Sequence, residues 1–577
     1  MKYVFKYLKK YTAESIVAPL FKLIEALLEL TVPIVVALII DKGIGGGDDG
    51  YVVKMCLLLL LIGAVGLAFS LTAQYFSAKA AVGTAADLRS GLFSKIQSFS
   101  YSKLDKIGTS TLITRMSGDV NQVQTGINLT LRLLLRSPFV AFGAMVMAFI
   151  VGAGASSATV SFAIVIPVLL VVIFIILLAG IPMYGKVQGG LDRVTGSLRS
   201  NLDGARVIRA FRLEDRESDE FSAKVTLHKR LSLAAGRISG LLNPLTYVII
   251  NLAIIMLLQN GAIEVNAGNL TQGELVALYN YMTQFLVELI KMANLIITVT
   301  KAIACAKRIS SVMNEDNDMP LVESNDPVDE NAPLVSFKNV SFTYNGAAGA
   351  AISDVSFELR AGESLGIIGG TGSGKSTLVN LIPRFYDVTE GEVLVNGVNV
   401  KSIPEDKLRQ KIGVASQKAL LFAGSIRDNI KWGKPDASDE EIIKALDTAQ
   451  ISNIVEEKAD GLDSKIEQNG RNLSGGQRQR LNVARALVRR PEILILDDSS
   501  SALDRVTDAA LRRAIRELDY SPALFIVSQR AESVAGCDKI LVLDGGCAVG
   551  YGTHEELYSA SDIYREICDS QKGGESI

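Results

Sequence analysis

Apolar residues follow one another almost without interruption in six stretches, at roughly 16–40, 52–78, 127–151, 158–183, 241–260 and 272–300. Each is about the 20 residues that a helix needs to cross a bilayer. Runs such as CLLLLLIGAVGLAF (56–69) and SFAIVIPVLLVVIFIILLAGI (161–181) are apolar on every side. A helix on the surface of a soluble protein would keep a polar stripe. The pattern therefore predicts six membrane-spanning helices over residues 1–313. It changes after the segment NEDNDMPLVESNDPVDENAP (314–333), which is acidic, holds three prolines and lacks apolar periodicity, and so reads as a linker. From 334 to 577 short β-like runs alternate with helical patterns, the mark of a mixed α/β domain.

Charge orients the spans. Lys2, Lys6, Lys9 and Lys10 precede the first one, and basic residues should stay in the cytosol. The loop DKGIGGGDDG (41–50) is short and acidic and should lie outside. The loops at about 80–126 and 184–240 are long and carry many arginines and lysines, so both belong inside. An even number of spans returns the C-terminal domain to the cytosol, which makes this a multi-pass cell-membrane protein. The helical pattern continues past the membrane boundary in AADLRSGLFSKIQSF (85–99), so the helices should project inward, with tips near 100–113 and 201–213 that reach the soluble domain.

Composition adds exclusions. Hydrophobic residues make up 49% of the 577-residue chain and charged ones 21%, with a mean hydropathy of +0.29, which suits a membrane half joined to a soluble half. A net charge of −2 leaves no basic excess for nucleic acid. Five scattered cysteines show neither a disulfide framework nor zinc spacing. Several charges lie within the spans. Glu25 and Glu29 share a helix face three and seven residues beyond Lys22. They read either as an acidic wall of a substrate cavity or as a Lys22–Glu25 pair beside a solvated Glu29. Glu288 is expected to pair with Lys291, and Arg132 and Arg136 to anchor the cytosolic surface.

The chemistry is concentrated in the soluble domain. GGTGSGKS (369–376) follows the apolar run SLGII and precedes the helical run TLVNLI, which is the setting a phosphate-binding P-loop requires. Gly369, Gly370, Thr371, Gly372, Ser373 and Gly374 should wrap backbone N–H groups around ATP phosphates, with Thr377 opening the helix behind them. Lys375 should reach the β- and γ-phosphates and Ser376 should ligate Mg²⁺. Asp497, ending the buried run ILILDD (493–498), should hold the same Mg²⁺. In RNLSGGQRQRLNVARALVRR (471–490), Ser474 is a good N-cap, and Gly475, Gly476 and Gln477 open a long helix. That is a second phosphate-binding helix terminus. One domain rarely needs two for one nucleotide, so the arrangement implies a dimer in which each chain's LSGGQ covers ATP on the other's P-loop.

With these motifs in this order the chain resembles an ATP-binding cassette (ABC) exporter half-transporter over essentially its whole length. The resemblance implies an all-α six-helix transmembrane domain followed by an α/β P-loop ATP-binding cassette, and an ATPase coupled to transport. It implies that Tyr344, in VSFTY, stacks on adenine, and that Gln417, in VASQ, senses Mg²⁺ and the attacking water. Ser501–Asp504 match the family's dimer-contact loop.

Two positions depart from the family. Where it usually has a glutamate to polarise water, this chain has Asp498, and where it has a histidine toward the γ-phosphate, this chain has Gln529. His228 and His554 are the chain's two histidines, and neither lies where it could substitute. The site on this P-loop is expected to bind ATP and hydrolyse it poorly, while the intact LSGGQ completes a competent site on a second, different half-transporter. That pattern is similar to the degenerate-site subunit of bacterial heterodimeric multidrug exporters. A small, hydrophobic or amphipathic cargo and contact with membrane lipid are implied. The alternatives are a homodimeric lipid or peptide exporter and an ATP-gated channel or regulatory subunit.

Overall fold

The computed structural model describes residues 1–153, 156–316, 318–322 and 332–572. Most of the acidic linker expected at 314–333 lies outside them. The chain packs into two compact units. One comprises Met1–Gln97 and Leu112–Glu315, the other Ser98–Thr111 and Asp316–Ile577.

In the first unit six helices are long and apolar enough to cross a membrane. Most of them are far longer than a bilayer requires. Asp49–Gln97 has 49 residues, about 74 Å at 1.5 Å per residue, against a hydrocarbon core of about 30 Å. The helices Ser156–Asp203 and Gln272–Met313 have 48 and 42 residues, so the same excess recurs. Small residues set the packing: Ala26, Ala144 and Ala277 are fully buried where the first, third and sixth spans meet. A Cβ on Gly143 would collide with Leu30. Without a hydrophobic drive between helices in lipid, such close approach supplies the association energy. The Tyr281 hydroxyl donates to the Leu30 carbonyl at 2.7 Å, tying the sixth span to the first.

Several charges within the spans are paired. Lys22 donates to Glu25 at 2.6 Å and to Ser70 at 2.9 Å, and Lys291 donates to Glu288 at 2.7 Å. Arg136 departs from expectation. It is not a surface anchor but is buried, donating to Glu288 at 2.8 Å and also to Glu29. Glu29 therefore belongs to an ion network and is not simply solvated. The third span starts again at Arg136 after a turn at Leu134–Leu135, and that restart turns the guanidinium inward.

The second unit is built on a ten-stranded sheet. Its parallel part runs in spatial order Lys539–Asp544, Ser364–Gly369, Ala523–Val527, Ile493–Asp497, Ile412–Ala415. The three middle strands are buried along their whole length, which is why they read as unbroken apolar runs with no alternation. In register, Val527 lies beside both Ile367 and Asp497. The P-loop, Asp498 and Gln529 consequently all emerge at the carboxyl ends of adjacent strands, where open α/β sheets bind ligands.

Of the inner tip expected at 100–113, the part up to Thr111 belongs to this unit and the rest to the first. The helix Tyr101–Ile107 is N-capped by Ser100, whose Oγ accepts from the Lys103 N–H. Tyr101 lies against Phe385 with ring centroids 4.6 Å apart, and the Tyr386 hydroxyl donates to Asp105 at 2.9 Å. The other tip, with the helix Ala205–Ala210, belongs to the first unit.

Candidate nucleotide site

The loop between the strand Ser364–Gly369 and the helix Lys375–Leu381 needs its glycines. Gly374 has φ +93°, and a Cβ there would stand 2.5 Å from the Ala351 carbonyl. A Cβ on Gly369 would collide with the Leu543 carbonyl. Gly370, Thr371 and Gly372 are exposed, while Ser373 is buried. The result is a backbone cradle with room at its mouth, as phosphate oxygens require.

Lys375 folds over this cradle. Its ammonium donates to the carbonyls of Gly369 at 2.9 Å and Gly370 at 2.7 Å. Burial lowers its pKa, and the charges of Asp498 and Asp497 offset part of that. Ser376 Oγ donates to Asp497 Oδ1 at 2.9 Å, so the two expected metal ligands stand side by side. Burial raises the Asp497 pKa, and neighbouring Asp498 pushes it further. A half-buried hydroxyl and a buried carboxylate, next to a second carboxylate, are a hard-oxygen set that gains from a divalent cation. The residues fit Mg²⁺.

Asp498 stands at the edge of the cluster with its backbone in the left-handed region, φ +48°. Its N–H donates to the Val527 carbonyl at 3.0 Å. Its carboxylate accepts from Gln417 Nε2 at 3.1 Å. Burial raises its pKa, while the Gln417 bond, Lys375 and Arg530 draw it down. Gln417, Lys375, Ser376, Asp497 and Asp498 are thus brought together.

Tyr344 is half-buried beside them. Its hydroxyl lies 3.1 Å from Thr377 Oγ1, and its ring meets Phe342 and Tyr386 edge-on at 4.8 and 5.3 Å. Tyr344 and Tyr386 line a cavity of about 560 Å³ that also includes Ser102 and Asp105 of the inner-tip helix. The aromatic expected on adenine is therefore linked through Tyr386 to Asp105.

Ser474 caps the helix Gly475–Leu487. Its Oγ accepts from the Gln477 N–H, and Gln477 Oε1 accepts from the Ser474 N–H. The first-turn N–H groups of Gly475 and Gly476 lie outside the helix's own ladder. A Cβ added at either glycine would meet Ala502. Among the described residues this segment shares no hydrogen bond with the P-loop of its own chain.

Gln529 is exposed, and its position is set by a residue that sequence reasoning missed. Gln571, on the C-terminal helix Asp562–Lys572, donates through Nε2 to the Gln529 carbonyl at 2.8 Å. Its Oε1 accepts from the Ala531 N–H, also at 2.8 Å. One amide thus brackets the turn that carries Gln529 and Arg530. His554 is engaged elsewhere, 2.7 Å from the Tyr564 hydroxyl.

Residues 15–289 match the family model described as ABC transporter transmembrane region, and residues 352–501 match the one described as ABC transporter. The chain is 35% identical over 575 residues to the uncharacterized ABC transporter ATP-binding protein YfiB of Bacillus subtilis, covering 100% of this chain and 99% of that one. It is 34% identical over 562 residues to an uncharacterized ABC transporter ATP-binding protein of Mycobacterium tuberculosis, covering 96% and 95%. A solved structure of a bacterial Atm1-family ABC exporter with ATP bound shares the fold, with a TM-score of 0.82 at 22% identity over 99% of both chains.

Proposed function

The chain belongs to the ABC transporter family, and on that premise we propose that it is the degenerate-site half of a heterodimeric exporter of hydrophobic or amphipathic compounds. It is a multi-pass membrane protein with a cytosolic nucleotide-binding domain, and ATP drives its transport. The finer reading is supported by one observation: Asp498, next to Asp497 at the carboxyl end of its strand, is already hydrogen-bonded to Gln417.

In this reading Gly369–Ser376 and Thr377 bind the phosphates of ATP, Tyr344 stacks on the base, and Ser376 and Asp497 hold Mg²⁺ with Gln417 nearby. The ion supplies charge neutralisation at the phosphates. Lys375 moves from the loop carbonyls to phosphate oxygens. Asp498 is one methylene shorter than glutamate, and Gln529 can donate a hydrogen bond but carries no positive charge. Neither group is then placed to drive in-line attack. The segment Ser474–Gln477 covers ATP on the partner's P-loop, where a full acid and histidine split it. Closing of the two cassettes moves the helix Tyr101–Ile107, which leads directly back into the long helix Asp49–Gln97, and the spans alternate between inward and outward access.

The test is purification of the tagged chain from native membranes, followed by identification of its partner and ATP-dependent uptake into inverted vesicles. A second half-transporter with Glu and His at the two positions, and uptake against a gradient, support the proposal. A homodimer with robust turnover that Asp498→Asn abolishes refutes it.

A further inference from the structure

Four charges from three spans meet inside the membrane unit. Arg136 of the third span and Glu288 of the sixth form the centre, with side chains 8% and 1% exposed, 2.8 Å apart. Each holds one outer partner: Arg136 binds Glu29 of the first span, and Glu288 binds Lys291 one helical turn along the sixth. The outer groups differ from the inner ones in accessibility. Glu29 is 39% exposed and Lys291 41%.

Ionisable residues within spans are costly, and where they persist they mark a pathway or a ligand. A purely structural pair would need only the two buried members. Here the pair is extended at both ends by charges of opposite sign that open out of the helix packing. Either outer group can leave without stranding a buried charge, because Arg136 and Glu288 still have each other. Through the shared bonds the Lys291 ammonium and the Glu29 carboxylate are no more than roughly 10 Å apart.

Building on the exporter reading, we infer that Glu29 and Lys291 form a two-point site for the head of an amphipathic zwitterion, a molecule with an apolar body and one cationic and one anionic group. The cargo cation takes Glu29 from Arg136 and the cargo anion takes Lys291 from Glu288. The buried Arg136–Glu288 pair stays closed beneath them. No bond is made or broken in the cargo, and the net charge of the network is unchanged.

The test uses the full chain with its native partner in lipid nanodiscs and three fluorescent amphiphiles of one apolar body, with sulfobetaine, quaternary ammonium or sulfonate heads. Binding is read by anisotropy below the micellar concentration. The sulfobetaine should bind tightest, by about tenfold per charge-assisted contact. Glu29→Gln should weaken the sulfobetaine and ammonium probes and spare the sulfonate. Lys291→Met should weaken the sulfobetaine and sulfonate probes and spare the ammonium, while Lys291→Arg retains the native ranking. A loss of packing alone would weaken all three probes alike. That outcome, unchanged binding in both variants, or binding of none of the probes overturns the inference. Uptake into inverted vesicles separates the two readings. Transport indifferent to Glu29→Gln and Lys291→Met sinks the two-point site alone, whereas head-group selectivity without transport sinks the exporter.

Discussion

Lengthening the acid beside the metal aspartate should awaken this chain's own ATP site. In Asp498→Glu the carboxylate advances by one carbon–carbon bond, about 1.5 Å. A misplacement of about 1 Å in a catalytic group costs on the order of 10²-fold in rate, equivalent to about 2.7 kcal/mol of barrier. The residue at 498 has φ +48°, a region aspartate tolerates better than glutamate. The variant should therefore lose up to roughly 1 kcal/mol of stability, less than the barrier it recovers. Adding Gln529→His restores a group able to carry positive charge toward the γ-phosphate. The assay is phosphate release from the complex whose partner has lost its own catalytic acid, so that only this P-loop can turn over. The single variant should raise the rate by roughly ten- to a hundredfold, and the double variant more. An unchanged rate in both, with ATP still bound, would refute the argument from reach.

Three further outcomes follow from the cassette. Gln571→Ala removes both bonds that bracket Gln529 and Ala531, each worth about 1 kcal/mol, so the Ala531 amide should exchange hydrogen faster by roughly ten- to thirtyfold while the P-loop amides do not change. Tyr386→Phe deletes the bond to Asp105, and transported cargo per ATP should fall while ATP affinity is kept, measured by paired uptake and phosphate assays. Burial acts to raise the Asp538 pKa, but bonds from the Ser364 hydroxyl and N–H outweigh it and leave the pKa below its ordinary value. Its stabilising effect is therefore complete above the unfolded value near about 4 and is lost as pH falls through the folded value. Asp538→Asn should flatten that acid limb in thermal denaturation.

The elements most legible in the sequence were those whose cause is local. An apolar run with no polar stripe has few alternatives to a span, and GGTGSGKS between a strand and a helix constrains its own backbone, as the forced left-handed turn at Gly374 shows. The long inner helices were legible because the periodicity simply continued. Contacts between distant segments were not. Arg136 looked like an interfacial anchor because its partners Glu29 and Glu288 lie 107 and 152 residues away, and only the packing of three spans brings them together. Gln571 gave no signal because it binds the backbone of the 529–531 turn, which leaves no complementary side chain to notice. The Tyr344–Tyr386–Asp105 connection was half-visible: Tyr344 stood out from its motif, but its link to the inner tip depends on how the 98–111 segment settles on the cassette.

The two ATP sites should differ most in the nucleotide each retains. The direct measurement is to incubate the purified complex with Mg²⁺ and radiolabelled ATP under steady turnover, remove free nucleotide rapidly, and photo-crosslink what remains to each chain. A degenerate site predicts intact triphosphate on this chain, held at Tyr344, and diphosphate on its partner. Diphosphate on this chain, appearing at the rate of phosphate release and abolished by Asp498→Asn, would contradict it.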